Sequence, residues 1–190
     1  MNLTEDAKQK LILGNERYLS GRLHAEGFGA RMREELAEKG QKPGALIVCC
    51  SDSRVPPEII FDQYPGDIFV VRTAGNVVDE IALGSIEYGV EHLSIPLVLV
   101  LGHENCGAVK ATIEGEGGHG AVKAIIDKIK PSMEKHLGSA DIYEDCTDEN
   151  IRSTMEEIRK NAAVAALIRE GRVEVAGAKY GIRSGKVCFF

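Results

Sequence analysis

Two apolar runs constrain the fold of this chain more than any other feature, because each one ends at a metal-binding type of residue. The runs cover residues 45–49 and 97–102, and they are followed directly by Cys50 and His103. Continuous apolar runs of this length are typical of strands that are buried on both faces of a parallel sheet. Ligands of such sheets gather at the carboxyl ends of the strands, so we expect Cys50 and His103 to converge there.

A third candidate ligand, Cys106, lies three residues after His103. Cys50 alone is typical of a small core residue, but two thiolates and one imidazole together suit zinc. Three protein ligands are the number found in catalytic zinc sites, where the fourth position stays open. The spacing of His103 and Cys106 predicts that both lie on one face at the first turn of a helix. The sequence thus predicts one zinc ion per chain, held by Cys50, His103 and Cys106.

The remaining cysteines do not extend this donor set. Cys49 precedes Cys50 in a predicted strand, where successive side chains point to opposite faces. Cys146 and Cys188 lie in distant segments without a ligand-like neighbour, and we interpret them as ordinary thiols. A structural zinc site would need a fourth protein ligand, so this count favours a catalytic site.

Asp52 and Arg54 complete the predicted catalytic group. Asp52 lies two residues after Cys50, where it can accept the proton of a zinc-bound hydroxide and aim the oxygen lone pair at an electrophile. The planar guanidinium of Arg54 is suited to hold the Asp52 carboxylate and keep it ionised. A further hypothesis is that Asp52, once released by Arg54, becomes a fourth zinc ligand and switches the site off.

With these residues in view, the chain resembles the β-class carbonic anhydrases. The C-x-D-S-R motif is present at residues 50–54, and the H-x-x-C-G motif at residues 103–107. The similarity also covers a G-N-x-R-F-like segment, a V-R-N-A-G-N-like loop and a terminal hairpin, at residues 14–18, 71–76 and 180–187. The resemblance implies the same three zinc ligands, the Asp52 and Arg54 pair, and reversible hydration of carbon dioxide to bicarbonate and a proton by zinc-bound hydroxide.

The resemblance further implies a substrate pocket and self-association as a dimer or tetramer. The implied pocket residues are Gln63, Tyr88, Gly107 and Gly75. Two positions depart from the family pattern: Thr73 stands where Asn is common, and Tyr64 stands where plant-like members often have a substrate-contacting Gln. The chain has no Trp, which a subgroup of the family uses to bind inhibitory bicarbonate.

Strand and helix patterns alternate through the middle of the chain, which predicts an α/β fold with a mostly parallel central sheet and flanking helices. An N-terminal helical arm and a C-terminal antiparallel hairpin strand complete this prediction. Helices are predicted at residues 3–20, 30–39, 56–60, 79–91, 121–135 and 148–170. Further strands are predicted at residues 68–71, 173–178 and 186–190. The glycine-rich segment at 115–120 is interpreted as a flexible connection, because it lacks the context of a phosphate-binding loop.

Composition indicates one globular domain over residues 1–190, with residues 1–40 as the helical arm. The chain is 44% hydrophobic and carries a formal net charge of −6, which disfavours nucleic-acid binding. We also expect no membrane association, because no apolar run approaches the length of a membrane span. An odd number of cysteines and an N-terminus without a signal-peptide pattern favour the cytoplasm.

Three functions remain open at this stage. The favoured one is a zinc lyase that hydrates carbon dioxide, with carbon dioxide and bicarbonate as its small-molecule partners. A carbon disulfide or carbonyl sulfide hydrolase would use the same zinc scaffold, so the motifs do not separate it from the first. A non-catalytic, zinc-stabilised binding protein is the third, and it predicts a fourth protein ligand that always occupies the metal.

Overall fold

A computed structural model of the chain describes residues 3–24, 29–116 and 118–190, and it confirms the predicted α/β fold. The strands are β1 (Ala45–Cys50), β2 (Ile68–Thr73), β3 (Leu97–His103), β4 (Glu174–Tyr180) and β5 (Val187–Phe189). The helices of these ranges are α1 (Leu3–Leu19), α2 (Ala30–Lys39), α3 (Pro57–Ile60), α4 (Glu80–His92), α5 (Gly107–Glu114), α6 (Val122–Glu134), α7 (Ile142–Lys160) and α8 (Ala162–Arg169). A 3-10 turn at Ala74–Asn76 follows β2.

The strands form one sheet in the order β2-β1-β3-β4-β5. Strands β1 to β4 run parallel, and β5 pairs antiparallel with β4, as the closing hairpin predicts. Strand β1 pairs with β2 on one side and with β3 on the other. The chain therefore changes direction across the sheet beside β1, and the carboxyl ends of β1 and β3 border the crevice where such sheets bind ligands.

Alternate residues of β1 supply the two faces of the core. Leu46 and Val48 belong to an apolar cluster shared with α4, α7 and α8. Ile47 and Cys49 belong to a second cluster, shared with α1 and α3. Cys50 instead joins a third, smaller cluster at the carboxyl edge of the sheet. Cys49 thus lies on the opposite face of the sheet from Cys50, as the strand period predicts.

The buried side chain of Asn15 connects helix α1 to other elements through hydrogen bonds. Its side-chain amide donates to the carbonyl groups of Ile60, at 3.2 Å, and Gly185, at 3.0 Å. Its Oδ1 atom accepts from the backbone N–H of Val187 at 2.9 Å. One side chain thereby joins α1 to α3 and to the C-terminal hairpin. Helix α2 differs from α1, because it has no buried residue within the part of the chain that the structure describes.

The helix predicted to run on from His103 and Cys106 is present as α5, but its predicted start, with both ligands on one helical face, is wrong. His103 is the last residue of β3, a turn follows, and Cys106 is the N-cap residue of α5. Asn105 takes a left-handed conformation in this turn, with φ of 53°. Asn tolerates that region better than most residues, and the turn separates the two ligands in place of a shared helical face.

The helix predicted over residues 148–170 is also wrong in its bounds. Helix α7 begins at Ile142, where the Asp141 side chain accepts from the backbone N–H of Glu144. The chain then breaks at Asn161, which takes an extended ψ of 131° and caps the separate helix α8. An Asx side chain that bonds nearby N–H groups competes with helix continuation, which explains the break.

Two further expectations touch residues that the structure does not describe. The 115–120 connection includes residue 117, and the 1–40 arm includes residues 1, 2 and 25–28, all of which lie outside the described residues. The organisation into one domain stays a prediction. No helix in the described ranges is both long and apolar enough to cross a membrane.

Candidate metal centre

The carboxyl ends of neighbouring strands bring the three predicted ligands together. Cys50 ends β1 and His103 ends β3, while the turn at Asn105 brings Cys106 back beside them. The two sulfur atoms and a ring nitrogen of His103 all lie within 4.8 Å of one another. All three side chains are buried, so the cluster is a preformed site within the fold.

The imidazole of His103 is oriented by its own segment of chain. Its Nδ1 atom lies 2.8 Å from the carbonyl oxygen of Glu104 and donates a hydrogen bond to it. In this tautomer Nε2 carries a lone pair, and Nε2 is buried with no hydrogen-bond partner among the described residues. Buried polar atoms are normally paired, so an unpaired ring nitrogen that faces two sulfur atoms is suited to bind a metal ion.

The Cys50 sulfur accepts several hydrogen bonds. The first cause of its lowered pKa is a hydrogen bond from the Cys106 thiol, which outweighs the opposing effect of burial. Backbone N–H groups of Asp52, at 3.4 Å, and Gly75, at 3.3 Å, add to the effect. Cys106 has a raised pKa, because its proton is held by Cys50 and because it is buried. The pKa of Cys50 is thus lowered and that of Cys106 raised by the same contact between the two sulfurs.

Asp52 is held beside this cluster by Arg54. The Arg54 side chain donates to both carboxylate oxygens, from Nε at 2.9 Å and from Nη2 at 2.7 Å, and its backbone N–H donates to Oδ1. These bonds are the main reason that the pKa of Asp52 falls to about 2. Nη2 of Arg54 also donates to the carbonyl of Asn105, at 3.2 Å, so one guanidinium joins both ligand-bearing segments. Asp52 is not part of the three-residue donor cluster.

Two residues that the sequence interpretation missed brace the same site. Arg72 on β2 donates to the carbonyl groups of Cys50, at 3.0 Å, and Asp52, at 2.7 Å. Asn150 on α7 donates to the carbonyl of Gly75, at 2.8 Å. Arg72 lies in the V-R-N-A-G-N-like segment, so the family motif could have predicted its place at the site. Asn150 lies in no motif, and only the tertiary structure brings it to the site.

The predicted substrate residues fall into two groups. Gly75 and Gly107 lie at the cluster, the first through its hydrogen bond to Cys50 and the second as the residue directly after Cys106. Gln63 is buried elsewhere, where its amide donates to the carbonyls of Phe61 and Asp62. The ring of Tyr88 is 47% exposed on α4 and stacks on His92. Within one chain, the contacts of Gln63 and Tyr88 are with residues outside the metal cluster. Their role in binding substrate stays a prediction.

The α/β fold, with a buried Cys-His-Cys cluster at the carboxyl edge of its sheet, is that of a metal-site protein of the carbonic anhydrase type. The family model described as carbonic anhydrase matches residues 45–187 of this chain. A carbonic anhydrase of Mycolicibacterium smegmatis is 39% identical, over 92% of this chain and 87% of its own length. Carbonic anhydrase 2 of Mycobacterium tuberculosis is 40% identical, over 91% of this chain and 86% of its own length.

A solved structure gives the same result at the level of the fold. The β-carbonic anhydrase CafA of Aspergillus fumigatus superposes with a TM-score of 0.78 at 26% identity, covering 85% of this chain and 83% of its own. The chain belongs to the carbonic anhydrase family, in its β-class. Hydration of carbon dioxide is the activity of that family.

Proposed function

We propose that this chain is a carbonate dehydratase, a lyase that reversibly hydrates carbon dioxide to bicarbonate and a proton. The observation that carries the proposal is the convergence of the Cys50, His103 and Cys106 donors within 4.8 Å of one another. Asp52 lies beside them but is held by Arg54, which leaves a fourth position free for a reactant. A non-catalytic zinc protein would instead use four protein ligands.

Zinc is the metal that we propose for this centre, one ion per chain. Two sulfurs and one imidazole nitrogen are ligands that zinc accepts, and the unpaired Nε2 atom of His103 supplies the nitrogen donor. When bound, zinc supplies Lewis-acid activation of the water that reacts with carbon dioxide. A divalent ion also favours the ionised forms of both cysteines.

The proposed roles of the protein groups follow from their positions. Asp52 accepts a hydrogen bond from the reacting water and so directs a lone pair of the water oxygen at the carbon atom of carbon dioxide. Arg54 keeps the Asp52 carboxylate ionised and in place. The backbone N–H of Gly107, at the first turn of α5, is suited to polarise a substrate oxygen. The proton released by the reaction passes to solvent buffer.

Stopped-flow measurement of carbon dioxide hydration on zinc-quantified protein tests this function. We expect fast turnover that rises from about pH 6 to about pH 9 and that is lost in a Cys106→Ser variant. Cys188→Ser is the matched control, because Cys188 is an exposed thiol outside the cluster. Absence of turnover at every pH, despite one zinc per chain, would contradict the proposal, and carbon disulfide and carbonyl sulfide would then be assayed as substrates.

We further propose that the protein self-associates and acts in the cytoplasm. The cytoplasmic location stays a prediction from the sequence, and fractionation of cells with immunodetection of the chain tests it.

A further inference from the structure

Gly75 occupies a backbone conformation that other residues rarely adopt. Its φ of 71° and ψ of 18° lie in the left-handed region, and the residue is buried. A Cβ atom at this position would lie 2.8 Å from Cδ1 of Ile129 and 3.0 Å from Cβ of Ala108. From this conformation its N–H points at Cys50 Sγ, at 3.3 Å. The φ and ψ angles of Gly75 thus direct a hydrogen bond at a proposed metal ligand.

The carbonyl of Gly75 is held from a distant part of the chain. Asn150 on α7 lies 75 residues away, is 2% exposed, and donates from Nδ2 to this carbonyl at 2.8 Å. Burial of an amide on a helix face that packs against the core is costly unless the amide is paired. The neighbouring Cys146 and Ile151 on the same helix are fully buried apolar contacts. An amide at position 150 is therefore used for its donor and not for packing alone.

We propose that Asn150 is a positioning residue of the metal centre. By holding the Gly75 carbonyl, Asn150 fixes the peptide unit that follows Gly75. The φ and ψ angles of Gly75 then direct its N–H, which belongs to the preceding peptide unit, at Cys50 Sγ, and this bond orients the sulfur toward the proposed metal and draws charge from it. Groups that hydrogen-bond directly to metal ligands typically change metal affinity by about 10–100-fold when they are removed, and Asn150 acts one hydrogen bond further out, so we expect the lower end of that range. The inference rests on the proposed metal centre, and wild-type metal binding in the same assay tests that centre separately.

The test compares two substitutions on the same buried face of α7. Asn150→Leu removes the donor at similar volume, and Thr154→Val removes a buried hydroxyl one turn further along the helix. Zinc affinity is measured by competition with a chelator, and the cobalt-loaded proteins are compared by their thiolate-to-metal charge-transfer absorption. Urea unfolding of the metal-free proteins reports the purely structural effect.

For Asn150→Leu we expect zinc affinity about 10-fold weaker and a displaced charge-transfer band, with both unchanged in Thr154→Val. A variant that loses only stability, with wild-type affinity and spectrum, would reject the proposal. Should Asn150→Leu not fold, Asn150→Ser takes its place, because the shorter side chain keeps a polar group but does not reach the Gly75 carbonyl. Wild-type affinity and spectrum in that variant would equally overturn the inference.

Discussion

Arg54 shows, at the scale of one residue, how a single side chain serves two ligand-bearing segments. Its fork binds both oxygens of Asp52, and Nη2 also reaches the carbonyl of Asn105. A lysine carries the same charge, but its single ammonium group does not reproduce this planar arrangement. Charge alone therefore does not replace Arg54.

The Arg54→Lys variant tests whether the planar guanidinium, and not only its charge, is needed. We expect kcat/KM for carbon dioxide hydration to fall by about 10–100-fold, while the zinc content per chain stays at the wild-type level. Stopped-flow assays combined with metal analysis measure both quantities. Arg31→Lys is the matched control, because the Arg31 side chain is 92% exposed and pairs with Glu35 on its own helix, away from the metal centre. Full activity in Arg54→Lys would contradict the role assigned to the guanidinium fork.

Asp62 provides a second residue-scale case, outside the metal centre. Its side chain is 7% exposed and accepts from Nε of Arg17, at 2.5 Å, and from the backbone N–H of His24, at 3.0 Å. The ring of His24 also lies against the carboxylate, with Nδ1 at 2.8 Å. Burial acts to raise the pKa of Asp62, but the contacts with Arg17 and His24 outweigh it, and the pKa is lowered.

A lowered pKa in the folded state fixes the sign of the pH dependence. The ionised carboxylate stabilises the fold above its unfolded pKa of about 3.9, and this contribution is lost as pH falls through the folded value. We expect Asp62→Asn to lower the free energy of unfolding by about 1–3 kcal/mol at neutral pH, with a smaller difference from wild type below about pH 4. Urea titrations at several pH values measure this, with exposed Glu34→Gln as the control. A difference that does not change with pH would refute the assignment.

At the scale of elements, α1 depends on a close approach to the loop after α3. A Cβ atom at Gly14 would lie 1.8 Å from the carbonyl oxygen of Phe61 and 2.7 Å from its carbonyl carbon. These are backbone atoms, so the helix itself would have to move. Intrinsic propensity acts in the opposite direction, because alanine favours a helix over glycine by about 1 kcal/mol.

The same substitution in two helices separates these effects. Gly14→Ala is expected to destabilise the protein by about 1–3 kcal/mol, because the clash exceeds the gain in propensity. Gly84→Ala in α4 is expected to stabilise the separate chain by up to about 1 kcal/mol, because a Cβ there meets nothing within 4 Å in that chain, and it is therefore measured in the Ile81→Glu background, which is expected not to self-associate. Chemical denaturation of both variants measures the two values. If both substitutions changed the free energy of unfolding in the same direction, the close approach of α1 to Phe61 would not control how α1 packs.

In the molecule as a whole, the β2 edge of the sheet has no partner strand among the described residues of this chain. Beside it, Ile81 and Tyr88 on α4 are 79% and 47% exposed, and a groove of about 370 Å³ between β2 and α4 includes Phe69 and Val70. Exposed sheet edges and apolar patches are typical of association surfaces. A second copy offers the same edge and patch, so a two-fold contact covers both.

This surface gives the prediction for assembly. We expect the wild-type protein to have at least twice the chain mass of 20.6 kDa, and Ile81→Glu to lower the measured mass by about half or more. Sedimentation or light scattering after size exclusion measures it. Leu137→Glu is the control, because Leu137 is exposed to a similar degree, at 67%, but lies after α6, outside this groove. A wild-type protein of single-chain mass would count against self-association.

Local pattern was enough to predict much of the fold and the candidate ligands. The apolar runs before Cys50 and His103 predicted buried parallel strands, because a strand covered on both faces needs apolar side chains at every position. The start of the helix predicted over residues 79–91 is local in the same way, since the Asp79 side chain bonds the N–H of Ala82 within one turn. Such features depend on neighbours in sequence, and they are visible without the fold.

Sequence alone thus determined the α/β class and the Cys50, His103 and Cys106 set, whereas the tertiary structure decided how that set is held. His103 and Cys106 do not share the expected helical face, because the left-handed φ of Asn105 turns the chain between them. The bond from Asn150 to Gly75 joins residues 75 positions apart. Contacts of this kind follow from the packing of α7 against the sheet and leave no periodic signal in the chain, so only the folded structure shows them.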